Sequence, residues 1–393
     1  MLVVGLVSLA LAAQPSPPPD ETAPPRAAVN VLELGAIADG QTDCAPAIQK
    51  AIDRVSESGG DVIIPAAEKP YLIRSGLTIS ADGVSILGDG ATIRFADNAM
   101  NGEIVDCIRV LGTPGDPVEH ATIRGLTIDA NYWAQPGSYD PRGIDSDYAT
   151  GLVVQSVTIT NAFVGLTFGR GVSDSEAVEC LITRWYDDAF NASGDGFSGS
   201  CHDIRFTRCT AKDSPDERAG GRPGARNNAW AIEDGAHDIT IDSCTVQDCG
   251  GNGFAVRNHA SDDAVATTAV RFVNCRADNV AGNAFFVFGR TFPNTIESIA
   301  LDRCTSDSAC VFSKDIRGLT ITASKFPGTV TIGPVDNGQI RGSEIGWLRV
   351  WSTDVGVPNE PGGYRTSITF DHCTINHPAS VFGNRNFVRF IDE

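Results

Sequence analysis

From about residue 84 onward the chain restates one phrase, most clearly as HDITIDSCTVQDCGGNGFAVRN, His237 to Asn258. An alternating strand is followed by a small residue, a second short strand, a polar turn, and a third strand opening with Gly or Ala and an aromatic. Most intervals are about 19 to 35 residues, too short for an independent domain and right for one coil of a solenoid. Aligned phrases bring Cys180, Cys209, Cys244, Cys275, Cys304 and Cys373 to one position, with Ser156, Ser324 and Ser343 in the same column. A second column, Asp188, Asn228, Asn252 and Asn283, opens the third strand. Side chains stacked about 4.8 Å apart can hydrogen-bond along the stack, and thiols are small enough to stack inside a turn. The six-Cys column therefore reads as buried free thiols. Disulfides would need one-coil geometry at every repeat, and zinc is disfavoured because there is no CxxC pair and no His at ligand spacing. These features predict an all-β fold, a right-handed parallel β-helix with three strands per coil.

The start departs from the phrase. AAVNVLELGAIADGQTDCAPAIQKAIDRVSESGGDVIIPA reads as strand, turn, helix, strand. Thr42 or Asp43 can N-cap a helix from about Cys44 to Ser56, with Ile48, Ile52 and Val55 on one face. Such a helix would cap the open N-terminal end of the solenoid, whose unpaired edge would otherwise invite aggregation. Before it, residues 1–14 form a signal-like apolar segment, too short for a bilayer span, and residues 15–28 a Pro-rich linker. Residues 29–393 are read as a single β-helix domain, and the chain as exported, secreted or periplasmic. Apart from the signal-like segment, no stretch suits membrane insertion. The net charge of −19 argues against nucleic acid and anionic membrane surfaces. It leaves room for an acidic polysaccharide, since a local basic cleft can sit on an acidic body.

The third strands follow the longest variable turns, Tyr132–Arg142 and Asp213–Arg226, and such turns on one side of a solenoid usually build its cleft. If Phe254 and Val256 point inward, Ala255 and Arg257 point outward. Carried along the repeat, that register gives an outward column of Asp145, Thr167, Asn191, Ala231, Ala255 and Phe286. A parallel column holds Asp147, Gly169, Ser193, Glu233, Arg257 and Phe288. A polar trough with aromatic walls suits sugars. The expected substrate-binding residues are Asp145, Asn191, Asn228, Asn252, Arg226 and Phe286, and Arg226 belongs with Arg218 and Arg222 to an Arg-bearing loop. The plainer reading is a solvated sheet face.

The opening Val31–Ile73, with GAIADGQTDCAPAIQKAI, GGDVIIPA and YLI, resembles the pectate-lyase-like β-helix superfamily. That group contains polygalacturonases, rhamnogalacturonases, polysaccharide lyases, epimerases and phage tailspikes. The resemblance implies the fold over roughly residues 29 to 390 and a carbohydrate-active role, without fixing the reaction. DDAFNASG, from Asp187, is similar to the polygalacturonase phrase DDCVAINSG. In that family a pair of Asp, with a third on the preceding coil, activates water and protonates the leaving oxygen, which would make Asp187 and Asp188 catalytic. The chain departs from that pattern: Val164 and Gly165 stand where the partner Asp would be, NNAWAIEDG lacks Gly-His-Gly, and no Arg-Ile-Lys follows. Asp188 fits the amide column equally well.

Elimination needs other parts: a base for the proton alpha to a uronate carboxylate and a cation to neutralise that carboxylate. Glu233 and Arg257 fall one coil apart, with His259 two residues on. Arg257 could clamp or deprotonate a uronate and His259 relay a proton; alternatively Glu233 and Arg257 are a surface ion pair of little energetic weight. The sequence assigns no metal ligands, and Ca²⁺ is a candidate cofactor through Asp145, Asp147, Asp187 and Asp188. The expected function is an extracellular enzyme cleaving a uronate-containing polysaccharide, by elimination or hydrolysis. The alternatives are a uronate epimerase and a non-catalytic glycan- or surface-binding β-helix.

Overall fold

A computed structural model of the chain describes residues 26–99, 106–136, 140–194, 199–214, 228–259, 265–289, 296–352, 366–383 and 386–391. The signal-like segment, most of the Pro-rich linker and the loop bearing Arg218, Arg222 and Arg226 lie outside these residues. The fold is a right-handed parallel β-helix. Successive coils stack strand on strand in parallel on three faces, as in the run of first-face strands His202–Thr207, His237–Asp242, Thr267–Val273 and Ile296–Asp302. The first strand, Ala27–Asn30, pairs in register with Gly60–Ile64.

The cap is a helix over Ala45–Val55 that buries Ala45, Ile48, Ala51, Ile52 and Val55 against the first coils. Cys44 occupies the N-cap position, and Asp43, one residue earlier, supplies the oxygen: its Oδ1 accepts from the Ala45 and Arg74 N–H groups. Thr42 instead bonds to Asp39.

The core is apolar and stacked. Phe190, Trp230, Phe254 and Phe285 form one inward column on the third face, with ring centroids 4.4, 4.9 and 5.0 Å apart. These are offset-stack distances, and each buried ring adds about 1.5–3 kcal/mol of transfer free energy. The bend from first to second face is made by one residue per coil in the left-handed region: Glu179, Arg208, Ser243, Asn274, Arg303, Ala323 and His372, with φ between 48° and 57°. The next residue of each phrase is the Cys or Ser column. All eleven cysteines are free, and all but Cys373 are fully buried. Cys244 Sγ accepts the Cys209 N–H at 3.4 Å, and Ser324 Oγ accepts the Cys304 N–H at 3.1 Å. Thiol and hydroxyl thus do the same job. Ser156 is displaced from this column by one residue. It is itself the left-handed bend residue (φ 51°), and Val157 takes the inward position, since Thr158 pairs with Leu181.

Candidate functional site

On the third face the strands Asp106–Leu111, Arg142–Asp147, Leu166–Phe168, Asp188–Ser193, Asn228–Glu233, Asn252–Arg257 and Phe285–Phe288 lie side by side. Asp145 pairs with Thr167, Thr167 with Asn191, Asn191 with Ala231, Ala231 with Ala255 and Ala255 with Phe286. Ser193 aligns with Glu233, Glu233 with Arg257 and Arg257 with Phe288. The expected register is therefore the one observed. Strand alternation throws these residues outward as two parallel rows. The face gathers its charge in two separate clusters.

The first cluster holds most of the sequence-selected residues. Asn228 Nδ2 donates to Asp188 Oδ1 at 2.7 Å, Asn252 Nδ2 to Asn228 Oδ1 at 3.1 Å, and Asn283 Nδ2 to Asn252 Oδ1 at 3.3 Å. Asp188 is thus the first rung of an amide ladder. It is only 3% exposed. Its second oxygen lies 3.5 Å from Asn191 Nδ2, and that nitrogen also donates to Glu233 Oε1 at 3.0 Å. Burial, with Glu233 and Asp187 nearby, holds the Asp188 carboxyl well above its ordinary range, against the opposing pull of Arg257 and Asn228. Asp187 is half-buried, and its backbone N–H and C=O join the neighbouring coils.

Arg257 Nε donates to Glu233 Oε2 at 2.8 Å, and the side chains are 16% and 6% exposed. This is a buried pair and not the surface pair weighed from sequence; removing either partner would strand a charge. Burial works against the Arg257 charge, but Glu233 and Asp188 outweigh it and hold its pKa above normal. His259 Nδ1 lies 2.9 Å from Asp234 Oδ2 and 3.3 Å from Glu233 Oε2. The bond to Asp234 raises its pKa, offset in part by burial.

The second cluster lies on earlier coils and was largely missed from sequence. Asp106, Arg109, Arg142, Asp145, Asp147 and Arg170 line an open cavity of about 380 Å³. Arg142 Nη1 donates to Asp145 Oδ1 at 2.6 Å. Asp147 Oδ2 accepts from Arg109 Nη2 and from Arg170 Nη2, both at 3.2 Å. Arg109 Nε stands 3.7 Å from Asp106 Oδ2 and 3.9 Å from Asp145 Oδ2. Three buried polar atoms here, Asp106 Oδ1, Arg109 Nε and Arg142 Nε, make no hydrogen bond. Buried polar groups in folded proteins are normally satisfied, so this cavity holds unused capacity that a ligand or water can take up. Burial, then the neighbouring Asp145, push Asp106 up to about 6, against the pull of Arg142 and Arg109. Asp145 and Asp147 of this cluster are the two that the sequence singles out. The available signal was the phrase DCIRVL, Asp106–Leu111, but Asp106 and Arg109 are three residues apart, so strict alternation would set them on opposite faces, and only the fold brings them together.

Aromatics border both clusters. Tyr132, Phe163 and Tyr186 pack together, with centroids 5.1 to 5.9 Å apart, and Trp133 beside them is 40% exposed. Further along, Phe286 and Phe288 stack at 5.3 Å with Lys314 Nζ 4.5 Å over the Phe288 ring. Trp347 is exposed and stacks on His377 at 3.8 Å, while Trp351 is half-buried. A larger groove, about 510 Å³, runs over the first face. Its acidic residues Asp174, Asp203 and Asp238 are exposed to solvent, and it lacks the buried, incompletely bonded charges of the Asp106 cavity.

A solenoid of this hand, with a helical N-terminal cap and a charged trough over one face, defines the class. The chain belongs to the rhamnogalacturonase A/epimerase, pectate lyase-like family, whose model matches residues 28–276. It is 28% identical over 218 residues to the tail spike protein of Shigella phage Sf6, covering 52% of this chain and 33% of that protein. It is 30% identical over 184 residues to mannuronan C5-epimerase AlgE1 of Azotobacter vinelandii, covering 44% of this chain and 12% of that protein. The chain thus spans a third or less of these relatives. In three dimensions it is similar to PfbA, a surface adhesin of Streptococcus pneumoniae, with a TM-score of 0.70 at 13% identity over 91% of this chain and 93% of that one. A likeness at that identity is one of fold. Among the described residues no helix is long and apolar enough to cross a membrane.

Proposed function

We propose that the protein is an exported enzyme that cleaves a uronate-containing polysaccharide lying along the third face, with the reacting bond over the Asp106 cavity. One observation carries this reading. A carboxyl that titrates at about 6 shares an open cavity with two arginine-paired carboxylates, Asp145 and Asp147. Glycoside hydrolysis needs such a division: one acid protonated near working pH to donate to the leaving oxygen, and one carboxylate to activate water or attack the sugar. In this reading Asp106 is the acid and Asp145 or Asp147 the carboxylate. Arg109, Arg142 and Arg170 meet the uronate charge, since guanidinium matches carboxylate in a bidentate fork. The rings around Tyr132 and the Phe286–Phe288 pair supply faces for sugar stacking.

A second reading has its own support. The arginines could instead neutralise a uronate carboxylate while its alpha proton is removed, giving elimination or, with return of the proton to the other face, epimerisation. The likeness to a mannuronan C5-epimerase favours this branch. The protein is incubated with pectin, rhamnogalacturonan, alginate and glycosaminoglycans, with and without Ca²⁺, following reducing ends and the ultraviolet band of an unsaturated uronate. New reducing ends without the band support hydrolysis; with the band, elimination. A change in uronate configuration without chain shortening means epimerisation. No change on any substrate, together with glycan binding, would replace the enzyme reading by that of a binding protein.

A further inference from the structure

We propose that Glu233, Asp234 and His259 form a site for one divalent transition-metal ion of the zinc type. They are the cluster of His and carboxylate donors that converges among the described residues: His259 Nδ1, a Glu233 oxygen and an Asp234 oxygen all lie within 4.8 Å of one another. His259 Nδ1 is 3.3 Å from Glu233 Oε2 and 2.9 Å from Asp234 Oδ2. Donors held tetrahedrally around Zn²⁺ at about 2.0–2.2 Å sit roughly 3.3 Å from each other. The two spacings from the imidazole are near that value, and the two carboxylate oxygens lie within 4.8 Å of each other, a distance that binding an ion would shorten.

The backbone explains the convergence. Glu233 ends its strand, and Asp234 follows with φ 55°, so two successive side chains that would alternate in a strand turn to one side. His259 comes from the next coil, directly after the paired strand Asn252–Arg257. Each ligand is held from behind. Asp234 Oδ1 accepts the His259 N–H at 2.7 Å, leaving Oδ2 for the ion. The Asp234 N–H is fixed by Asn258 Oδ1 at 3.1 Å, and Glu233 Oε1 by Asn191 at 3.0 Å. Such supporting bonds orient metal ligands.

Arg257 donates to Glu233 Oε2, the oxygen that would ligate. A carboxylate oxygen has two lone pairs, so one serves the guanidinium and the other the ion. The charge also favours a cation: two carboxylates and one guanidinium leave the site at −1 when the imidazole is neutral. An imidazole with two carboxylates suits zinc or a similar transition metal, whereas Ca²⁺ wants six to eight oxygens. With His259 47% exposed, solvent reaches the site and can fill the remaining position. The ligands are not among the residues lining the Asp106 cavity, whose far end reaches Ser193 and Gly194 one coil before Glu233, and the site does not depend on the chemistry proposed there.

The full chain, stripped by chelator, is titrated with Zn²⁺ by calorimetry. One ion per chain is expected, with a zinc-dependent rise in melting temperature. His259→Asn keeps an amide against Asp234 and is expected to weaken zinc about tenfold or more and to lose that rise, with its metal-free melting close to wild type. Co²⁺ should give the weak visible bands of N/O ligation without a thiolate charge-transfer band. Equal zinc affinity in wild type and His259→Asn, no zinc-dependent shift in the wild type, or a thiolate band with Co²⁺ would each overturn the site. Asp234→Asn, read the same way, decides the matter should His259→Asn fail to fold. None of these readouts involves glycan turnover, so their failure is separable from that of the enzymatic reading.

Discussion

Asp106, the acid of the proposed reaction, is a buried carboxyl that costs stability where it must ionise. Its folded pKa, about 6, lies above the ordinary 3.8. A carboxyl raised in this way favours folding while protonated, fully so below the unfolded value. That contribution is lost as pH rises through about 6. Asp106→Asn, which cannot ionise, is therefore expected to be more stable than wild type at pH 8, and the gain should vanish below about pH 4. Urea melts across this range check it; a pH-independent difference would mean that Asp106 does not titrate in a buried setting. Asp188 looks similar by burial but differs in context. Both of its oxygens face Asn side chains, and its column continues as Asn. The sequence already placed Asp188 both in a catalytic-looking pair and in an amide column. It could not choose, because both readings need a carboxyl or amide at that strand entry; the hydrogen bonds put Asp188 in the ladder, and the activity of Asp188→Asn tests the catalytic reading.

At the level of the repeating element, the bend and the column after it govern the coil. A left-handed residue turns the chain, and the next side chain accepts an N–H from the preceding coil. Cys244→Ser should cost less than about 1 kcal/mol, because Ser324 and Ser343 already do this work elsewhere. Cys244→Ala should cost about 1–3 kcal/mol by leaving the Cys209 N–H unsatisfied. Chemical denaturation of the two variants distinguishes this from a column that merely fills space, which would rank them the other way or equally. Most of this was legible in the sequence, since the period and the repeated small residue fix the coil. The displacement of Ser156 was not: a small polar residue suits the bend and the inward position alike, and only the pairing of Thr158 with Leu181 sets the frame. The Asp106 cluster escaped for a related reason. Its strand stands two coils before the clear phrases, so Asp106 and Arg109 have no repeat to align with, and strict alternation would part them.

For the molecule as a whole, the solenoid is held by stacking and burial, without covalent staples. Burial pushes thiols up, Cys249 to about 11 and Cys310 to about 12, so few are ionised or reactive in the fold. A thiol reagent should find little in the native protein and eleven groups after unfolding. Melting should be indifferent to reductant; fewer than eleven thiols in the unfolded chain would reveal disulfides and contradict the stacked column. The whole molecule also joins the two charge clusters along one face, and the central claim is that the open Asp106 cavity reacts while the sealed Asp188 ladder supports. The most direct test compares reducing-end release by wild type, Asp106→Asn and Asp188→Asn on whichever panel polysaccharide the wild type degrades, as a function of pH. Asp106→Asn should lose about 10²–10⁴-fold in rate, wild-type activity should fall as pH rises through about 6, and Asp188→Asn should stay within a few-fold of wild type. Loss of activity in Asp188→Asn with Asp106→Asn still active would contradict the central claim and move the chemistry to the ladder.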